Sequence, residues 1–346
     1  MIKDMQAFSF KSIFFPLLAI WMAANAAMSS VAINPSAVKM YAYVACSDQR
    51  IYIVDIAENK VVQTSGVFND MGTPTAIDLD RRQKILYVAS DRGHWQEKYR
   101  PIIAIDVSES PIKITRAFDL IIKSSENPFG DIGAVYSLVV SPDGGSLYAM
   151  YGRKEYEKGT TVIDARSGQI TGHLKFYIVK DTLFSPDGKT VANMWSHGSR
   201  VGNGSVDKAG REWSASVVVY DIDQNKEVSR TRIQNNRIML QPPWGEIEGP
   251  YVAWAGTNIF NLYNRTNGSL ISSVDLKKLT DLSVASRFPT VIDGGNKMAI
   301  PMSENGHNGF IVIVDLVKAV IISKVEVGQN PTNVVLCDLI PTEKMK

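Results

Sequence analysis

The sequence predicts an all-β protein, a single β-propeller of four-stranded blades. One phrase is written six times along the chain, and its strands alternate apolar and polar residues with a period of two. No convincing helical pattern runs longer than about eight residues. The phrase consists of a short apolar strand, a polar turn, a strand ending in Tyr or Trp, a loop, an Ile-x-Val-x-Asp strand and a final strand. Its third strand reads IYIVDIAENK at 51–60, IIAIDVSES at 102–110, TVIDARSGQ at 161–169 and VVVYDIDQNK at 217–226. It returns as NLYNRTNGS at 261–269 and IVIVDLVKA at 311–319. The marker residues are Asp55, Asp106, Asp164, Asp221, Asn264 and Asp315, spaced 43–58 residues apart. Each ends an apolar strand, where its side-chain oxygen can accept the amides of the following turn.

The first half of the unit repeats as well. SPDGGSLYAMY at 141–151 and SPDGKTVANMW at 185–195 are hairpins turned by Pro-Asp-Gly. Pro presets φ at the second position of such a turn, and Gly permits positive φ further on. DLDRRQKILYVAS and VIDGGNKMAIPMS are the same hairpin with weaker turn residues. The chain ends fit one ring. Residues 40–46 read as a second strand, whereas GQNPTNVVLCDL matches the first strand GTPTAIDLD at 72–80. The expected architecture is therefore six blades, closed by the C-terminal strand joining the N-terminal blade, which removes an exposed edge. The same alignment sets Cys46 opposite Pro331, on the order of 20 Å from Cys337. Two unpaired thiols are expected, because a disulfide needs Cα atoms within about 7 Å.

The N-terminus is of another kind. Lys3 and Lys11 precede the apolar stretch 13–24, and Ala24-Asn25-Ala26 follows. A basic start, a short apolar core and a small-x-small site read as a secretory signal cut after Ala26. The expected organisation is signal peptide 1–26, lead-in 27–37, propeller 38–340 and tail 341–346, in a secreted or periplasmic protein. No run of 18 apolar residues follows residue 30, so no membrane span is expected after signal removal. Lys+Arg 37 against Asp+Glu 35 leaves a formal charge of +2, too even to point to nucleic acid. Hydrophobic residues at 45% and charged ones at 21% exclude a disordered chain.

Tyr43-Val44-Ala45, Tyr87-Val88-Ala89-Ser90, the Ser-Pro-Asp-Gly turns, Gly72-x-Pro74-Thr75 and Gly328-x-x-Pro331-Thr332 resemble the phrases of YVTN-type periplasmic β-propellers over roughly residues 38–338. The layout is similar to that of propeller subunits of amine dehydrogenases and of hydrazine synthase (its β subunit). The resemblance implies a non-catalytic subunit of a hetero-oligomeric redox complex. Such a subunit binds no cofactor and scaffolds partner subunits that carry haem or quinone. The resemblance also implies seven blades as the alternative to the six phrases counted. Two other readings stay open: a stand-alone propeller hydrolase or lyase, and a cell-envelope binding protein.

Motifs for chemistry are few. There is no Cys-x-x-Cys-His, Gly-x-Ser-x-Gly, His-Glu-x-x-His or Walker loop. Asp221-x-Asp223-x-Asn225-x-Glu227 has the outline of a calcium loop. Lys226 stands at the glycine position and Arg232 at position twelve, so a strand end and turn explain it better. His94, His197 and His307 each fall just after the second strand of a blade, which should place them on one rim, whereas His173 falls in a fourth strand. Trp195 and Trp254 lie within strands and read as blade packing. Trp95 and Trp213 lie in loops with Arg200 and Arg211, a composition enriched at interfaces. The longest departures from the repeat are 196–214 and 91–100. His94, Trp95, His197, Arg200, Arg211, Trp213 and His307 are thus the candidate partner-binding residues, with no catalytic, cofactor or metal set identified.

Overall fold

A computed structural model describes residues 40–68, 72–90, 102–110, 112–118, 135–151, 159–178, 182–185, 187–197, 214–233, 251–254, 258–263, 270–285, 290–292, 296–337 and 342–343. These residues belong to one compact unit, 39–346. They form an all-β structure of successive antiparallel sheets, the arrangement a propeller requires. Sheet 1 orders Pro331–Cys337, Tyr41–Cys46, Arg50–Asp55 and Lys60–Thr64. Sheet 2 orders Pro74–Asp80, Ile85–Ser90, Ile102–Asp106 and Lys113–Phe118. Sheet 3 orders Val135–Val140, Ser146–Tyr151, Thr160–Asp164 and Ile170–Leu174. Sheet 4 orders Leu183–Phe184, Thr190–His197, Ser214–Asp221 and Lys226–Ile233. Sheet 5 has three strands among the described residues, Tyr251–Trp254, Ile259–Tyr263 and Leu270–Asp275. Sheet 6 orders Lys297–Glu304, Asn308–Asp315 and Val320–Val327 behind a first position shared by Ser283–Val284 and Thr290–Ile292.

That split is a departure from the expected unit, and Pro301 accounts for it. Proline has no amide to donate inside a ladder. The first strand pairs Ser283 and Val284 with Ser303 and Met302, Ala285 donates to the Pro301 carbonyl at 2.9 Å, and pairing resumes only at Thr290 opposite Ala299.

In sheets 1, 2, 3, 4 and 6 an aspartate caps the turn between the third and fourth strands. Asp55 Oδ1 accepts the amides of Ala57 and Glu58 at 3.0 Å, and Asp164 Oδ1 those of Arg166 and Ser167 at 3.1 and 2.6 Å. Asp106, Asp221 and Asp315 do the same for Ser108, Gln224 and Lys318, each at 2.8 Å. Four residues after the Asp, the backbone enters the left-handed region at Asn59, Gly168, Asn225 and Ala319, with φ of 53°, 76°, 49° and 53°. A register shift follows in all of these strand pairs, and one also falls in the pair of Ile259–Tyr263 with Leu270–Asp275 in sheet 5. The extra residue of the fourth strand (Val62, Thr115, Thr171, Val228, Ile271 or Ile322) twists the outer strand away from flat edge pairing. The calcium-like run at 221–227 is one of these turns.

Alternation divides the apolar side chains between two cores, one on each face. Tyr41–Cys46 is buried throughout. Tyr41, Tyr43 and Ala45 pack with Ile77, Leu79 and Val88 of sheet 2, whereas Ala42, Val44 and Cys46 pack with Ile311, Ile313 and Val325 of sheet 6. Comparable cores join sheets 2 and 3, 3 and 4, and 5 and 6. Between sheets 3 and 4, the Phe176 and Tyr220 rings stack at 4.2 Å.

Polar links repeat at the same junctions. Thr75 Oγ1 donates to the Val135 carbonyl of the next sheet, and Thr290 Oγ1 to that of Val334 at 3.1 Å. Asp78 Oδ2 accepts the Val140 amide at 2.7 Å. On the outer side, Arg116 Nη1 reaches the Ala165 carbonyl at 2.8 Å. Asn225 bridges the Lys175 amide and the His173 carbonyl at 2.8 and 3.0 Å.

The expected register of the chain ends is found. Pro331–Cys337 pairs antiparallel with Tyr41–Cys46, with Cys46 opposite Pro331 and Cys337 opposite Tyr41. Both sulfurs are buried at opposite ends of the strand pair, roughly 17 Å apart at 3.4 Å per residue. The segment read as a tail includes Thr342–Glu343, which pairs in parallel with Glu109–Ser110.

Two hairpins isolate the cost of a steric clash. Gly144 and Gly188 hold φ of 73° and 71° in the same Ser-Pro-Asp-Gly turn. A Cβ at 144 would lie 2.1 Å from Asp80 Oδ2, whereas one at 188 meets only Pro142 at 3.8 Å. Gly188→Ala should cost about 1–2 kcal/mol for the left-handed backbone alone, and Gly144→Ala measurably more. Chemical denaturation of the pair checks this, and equal losses would show that Asp80 moves aside freely.

The same turns make stability depend on acid. Hydrogen bonds from Ser141, Ser167 and Ser185, the largest cause in each case, hold Asp143, Asp164 and Asp187 below the usual carboxylate range. A carboxylate depressed in the folded state stabilises it fully above the unfolded value near 3.8. That contribution is lost as pH falls through the lower folded value. The double variant Asp143→Asn/Asp187→Asn should melt below the wild type at neutral pH, with the gap narrowing as pH drops from about 4 to about 2.

Candidate functional site

Strand order assigns every connection to one of two faces. First-to-second and third-to-fourth connections share one face, and second-to-third and sheet-to-sheet connections share the other. On the first face seven turns are short and alike, 56–59, 81–84, 141–145, 165–169, 185–189, 222–225 and 316–319, whereas 107–112 carries Glu109–Ser110 and its pairing with Thr342–Glu343. Asp80 caps its turn as the third-strand aspartates do, accepting the amides of Arg82 and Gln83 at 2.9 and 3.1 Å. On the second face the connections range from 47–49 and 305–307 to 91–101, 119–134 and 198–213. One face is thus built mostly to a single pattern while the other varies. The varied face is the candidate functional site, since binding residues concentrate on loops held by a rigid scaffold.

Of the predicted residues, His307 and His197 lie among the described ones. His307 is exposed in the 305–307 turn and its amide donates to the Glu304 carbonyl at 3.0 Å. His197 does not follow its strand as the sequence suggested: it is the last residue of Thr190–His197, paired with Ser214, because the ladder of sheet 4 extends further than the apolar run. The longest second-to-third connection is correspondingly 198–213. His94, Trp95, Arg200, Arg211 and Trp213 lie outside the described residues. His173 sits on the outer strand of sheet 3, as read, with Nδ1 3.2 Å from Thr161 Oγ1, and burial pushes its pKa down.

The structure adds a polar group where the chain ends meet on the varied face. Tyr52 OH donates to Asp48 Oδ2 at 2.6 Å, and Arg50 Nη1 lies 3.8 Å from the same oxygen. Burial first, and then the bond to Asp48, push Tyr52 up to about 12. Gly328 leaves room for this group, since a Cβ there would stand 2.4 Å from the Tyr52 ring. Ser47 ties the connection down, with its amide and hydroxyl both donating to the Gln329 carbonyl at 2.9 Å. Nothing in the sequence marked Asp48 and Tyr52, because their partner glycine lies at the other end of the chain. Burial, and then the nearby charge of Asp48, raise the Cys46 thiol, which disqualifies it as a nucleophile. Among the described residues, no three His, Cys, Asp or Glu gather as a metal site would require. No helix among them is long and apolar enough to cross a membrane.

No protein family matches the chain, and no curated protein does. Among solved structures it is similar to a functionally unknown protein from Desulfotomaculum acetoxidans DSM 771. That likeness has 9% sequence identity and a TM-score of 0.53, and covers 88% of this chain and 100% of the other. It is also similar to the dihydro-heme d1 dehydrogenase NirN in complex with DHE, at 11% identity and a TM-score of 0.44, over 86% and 75% of the two chains. For hydrazine synthase of Kuenenia stuttgartiensis the figures are 15%, 0.43, 84% and 89%. At these identities the first likeness speaks for the fold alone, and the other two carry no argument.

Proposed function

We propose that this chain is a non-catalytic propeller subunit of a secreted or periplasmic redox complex, in which it scaffolds subunits that carry haem or quinone. In this reading the six sheets are six blades of one ring, sealed where Pro331–Cys337 joins Tyr41–Cys46. The observation that carries it is the contrast between the faces. Seven described turns of one face are short and alike, while the strand order assigns the longer connections 91–101, 119–134 and 198–213 to the other. Ring packing requires regular turns and leaves the varied face to selection for contacts. In this reading His94, Trp95, His197, Arg200, Arg211, Trp213 and His307 are the partner-binding residues, since aromatic and arginine side chains are the usual anchors of an interface. The signal-like N-terminus supports an extracytoplasmic location, and the resemblance of the repeat phrases supports a redox setting.

The proposal is tested by purifying the complex from the native host under mild conditions. The co-purifying chains should include one with a haem Soret band or one that stains for quinone. A chain that elutes alone and turns over a substrate by itself would contradict the reading. Arg211→Ala/Trp213→Ala should weaken association with that partner about tenfold or more, as expected of anchor residues, while the melting temperature stays unchanged. Loss of folding in the double variant would mean that the 198–213 connection is a structural plug.

A further inference from the structure

On the varied face, where sheet 5 hands over to sheet 6, the chain makes one turn of helix, Leu276–Leu279, and then enters Ser283–Val284. The crossing leaves a cleft of about 570 Å³, within the usual range for small-ligand sites. Leu282 and Val284 give it an apolar floor, Leu282 being buried and part of the core between sheets 5 and 6. Its polar lining carries two opposite charges, Lys277 and Asp281, both on exposed residues. Four residues apart, they make no ion pair with each other, because the helix ends at Leu279 and Thr280 turns to extended backbone with φ −159° and ψ 152°. Two hydroxyls also line the cleft: Thr280 Oγ1 accepts the Leu282 amide at 3.2 Å and keeps its proton to donate, and Ser283 is exposed.

We infer that this cleft binds a small zwitterion, its carboxylate held by Lys277 with the Thr280 and Ser283 hydroxyls and its ammonium by Asp281. An apolar floor with a few convergent polar groups is the usual build of a small-molecule site. Separated charges that do not neutralise each other suit a ligand bearing one of each sign. Exposed charges interact weakly, so affinity should be modest. The cleft belongs to this chain alone, so the inference does not rest on the subunit reading.

The probes are straight-chain ω-amino acids from β-alanine to 6-aminohexanoate, titrated into the isolated chain by heteronuclear NMR. One length should move the Ser283 and Asn258 amides saturably, while propylamine and propanoate at the same concentration should not. Lys277→Gln and Asp281→Asn should each weaken binding about tenfold or more, with unchanged melting temperatures. The charge-swapped Lys277→Asp/Asp281→Lys should restore it, since a zwitterion can reverse its direction. Flat titrations at every length, binding unaffected by the single variants, or a swapped variant as weak as either single one would each overturn the inference. All three outcomes leave the partner-subunit reading untouched.

Discussion

The pairing of Tyr41–Cys46 with Pro331–Cys337 is the contact on which the remaining structure leans. Among the described residues, apart from the two-residue pair of Thr342–Glu343 with Glu109–Ser110, every other strand pair lies within one stretch of the chain, whereas this one brings Ser47 and Gln329 together across 282 positions. The entropy of closing so long a loop grows only slowly with its length, so a single strand pair with a buried face can offset it. Without that pair, Tyr41–Cys46 would present an open, fully apolar edge. Both cores flanking sheet 1 draw on the closing strand: Cys337 packs toward sheet 2, and Val334 and Leu336 toward sheet 6. Arg81 adds a polar tie from sheet 2, its Nη2 donating to the Leu336 carbonyl at 3.1 Å.

Around this seam the fold repeats one local solution. An aspartate ends the third strand and caps the turn, a left-handed residue reverses the chain, and an extra residue bends the outer strand. Local devices of this kind leave a mark in sequence, which is why the strand units, the turn aspartates and the Cys46–Pro331 register were legible. Where the same geometry is met by other residues the signal fades. Lys84 and Ala319 occupy positive φ, at 58° and 53°, with no Asn or Gly to announce it. The break in the first strand of sheet 6 was also missed, although Pro301 marks it, because a proline in an apolar run reads as one more strand residue.

Contacts made between sheets were the least legible. Thr75 and Thr290 each follow a proline, and the Pro-Thr pair was visible as a phrase at Pro74-Thr75 and Pro331-Thr332. That their hydroxyls bond the carbonyl of the next sheet depends on packing that no local pattern encodes. The candidate site shares this property. Asp48, Tyr52 and Gly328 meet only because the chain ends meet. The cleft charges Lys277 and Asp281 face one space only because the helix stops after a single turn. The division into a regular and a varied face follows from strand order itself, and among the described residues His307 lies in a connection of the varied face.

Native-state hydrogen exchange tests the seam most directly. If the sheets depend on it, the amides of Tyr41–Cys46 and Pro331–Cys337 should exchange with the same opening free energy as those of Thr160–Asp164 and Asn308–Asp315, because opening the seam unfolds the whole. Seam amides that open at far lower cost, while the third strands of sheets 3 and 6 stay protected, would show that the chain ends merely fray and that the sheets stand without them.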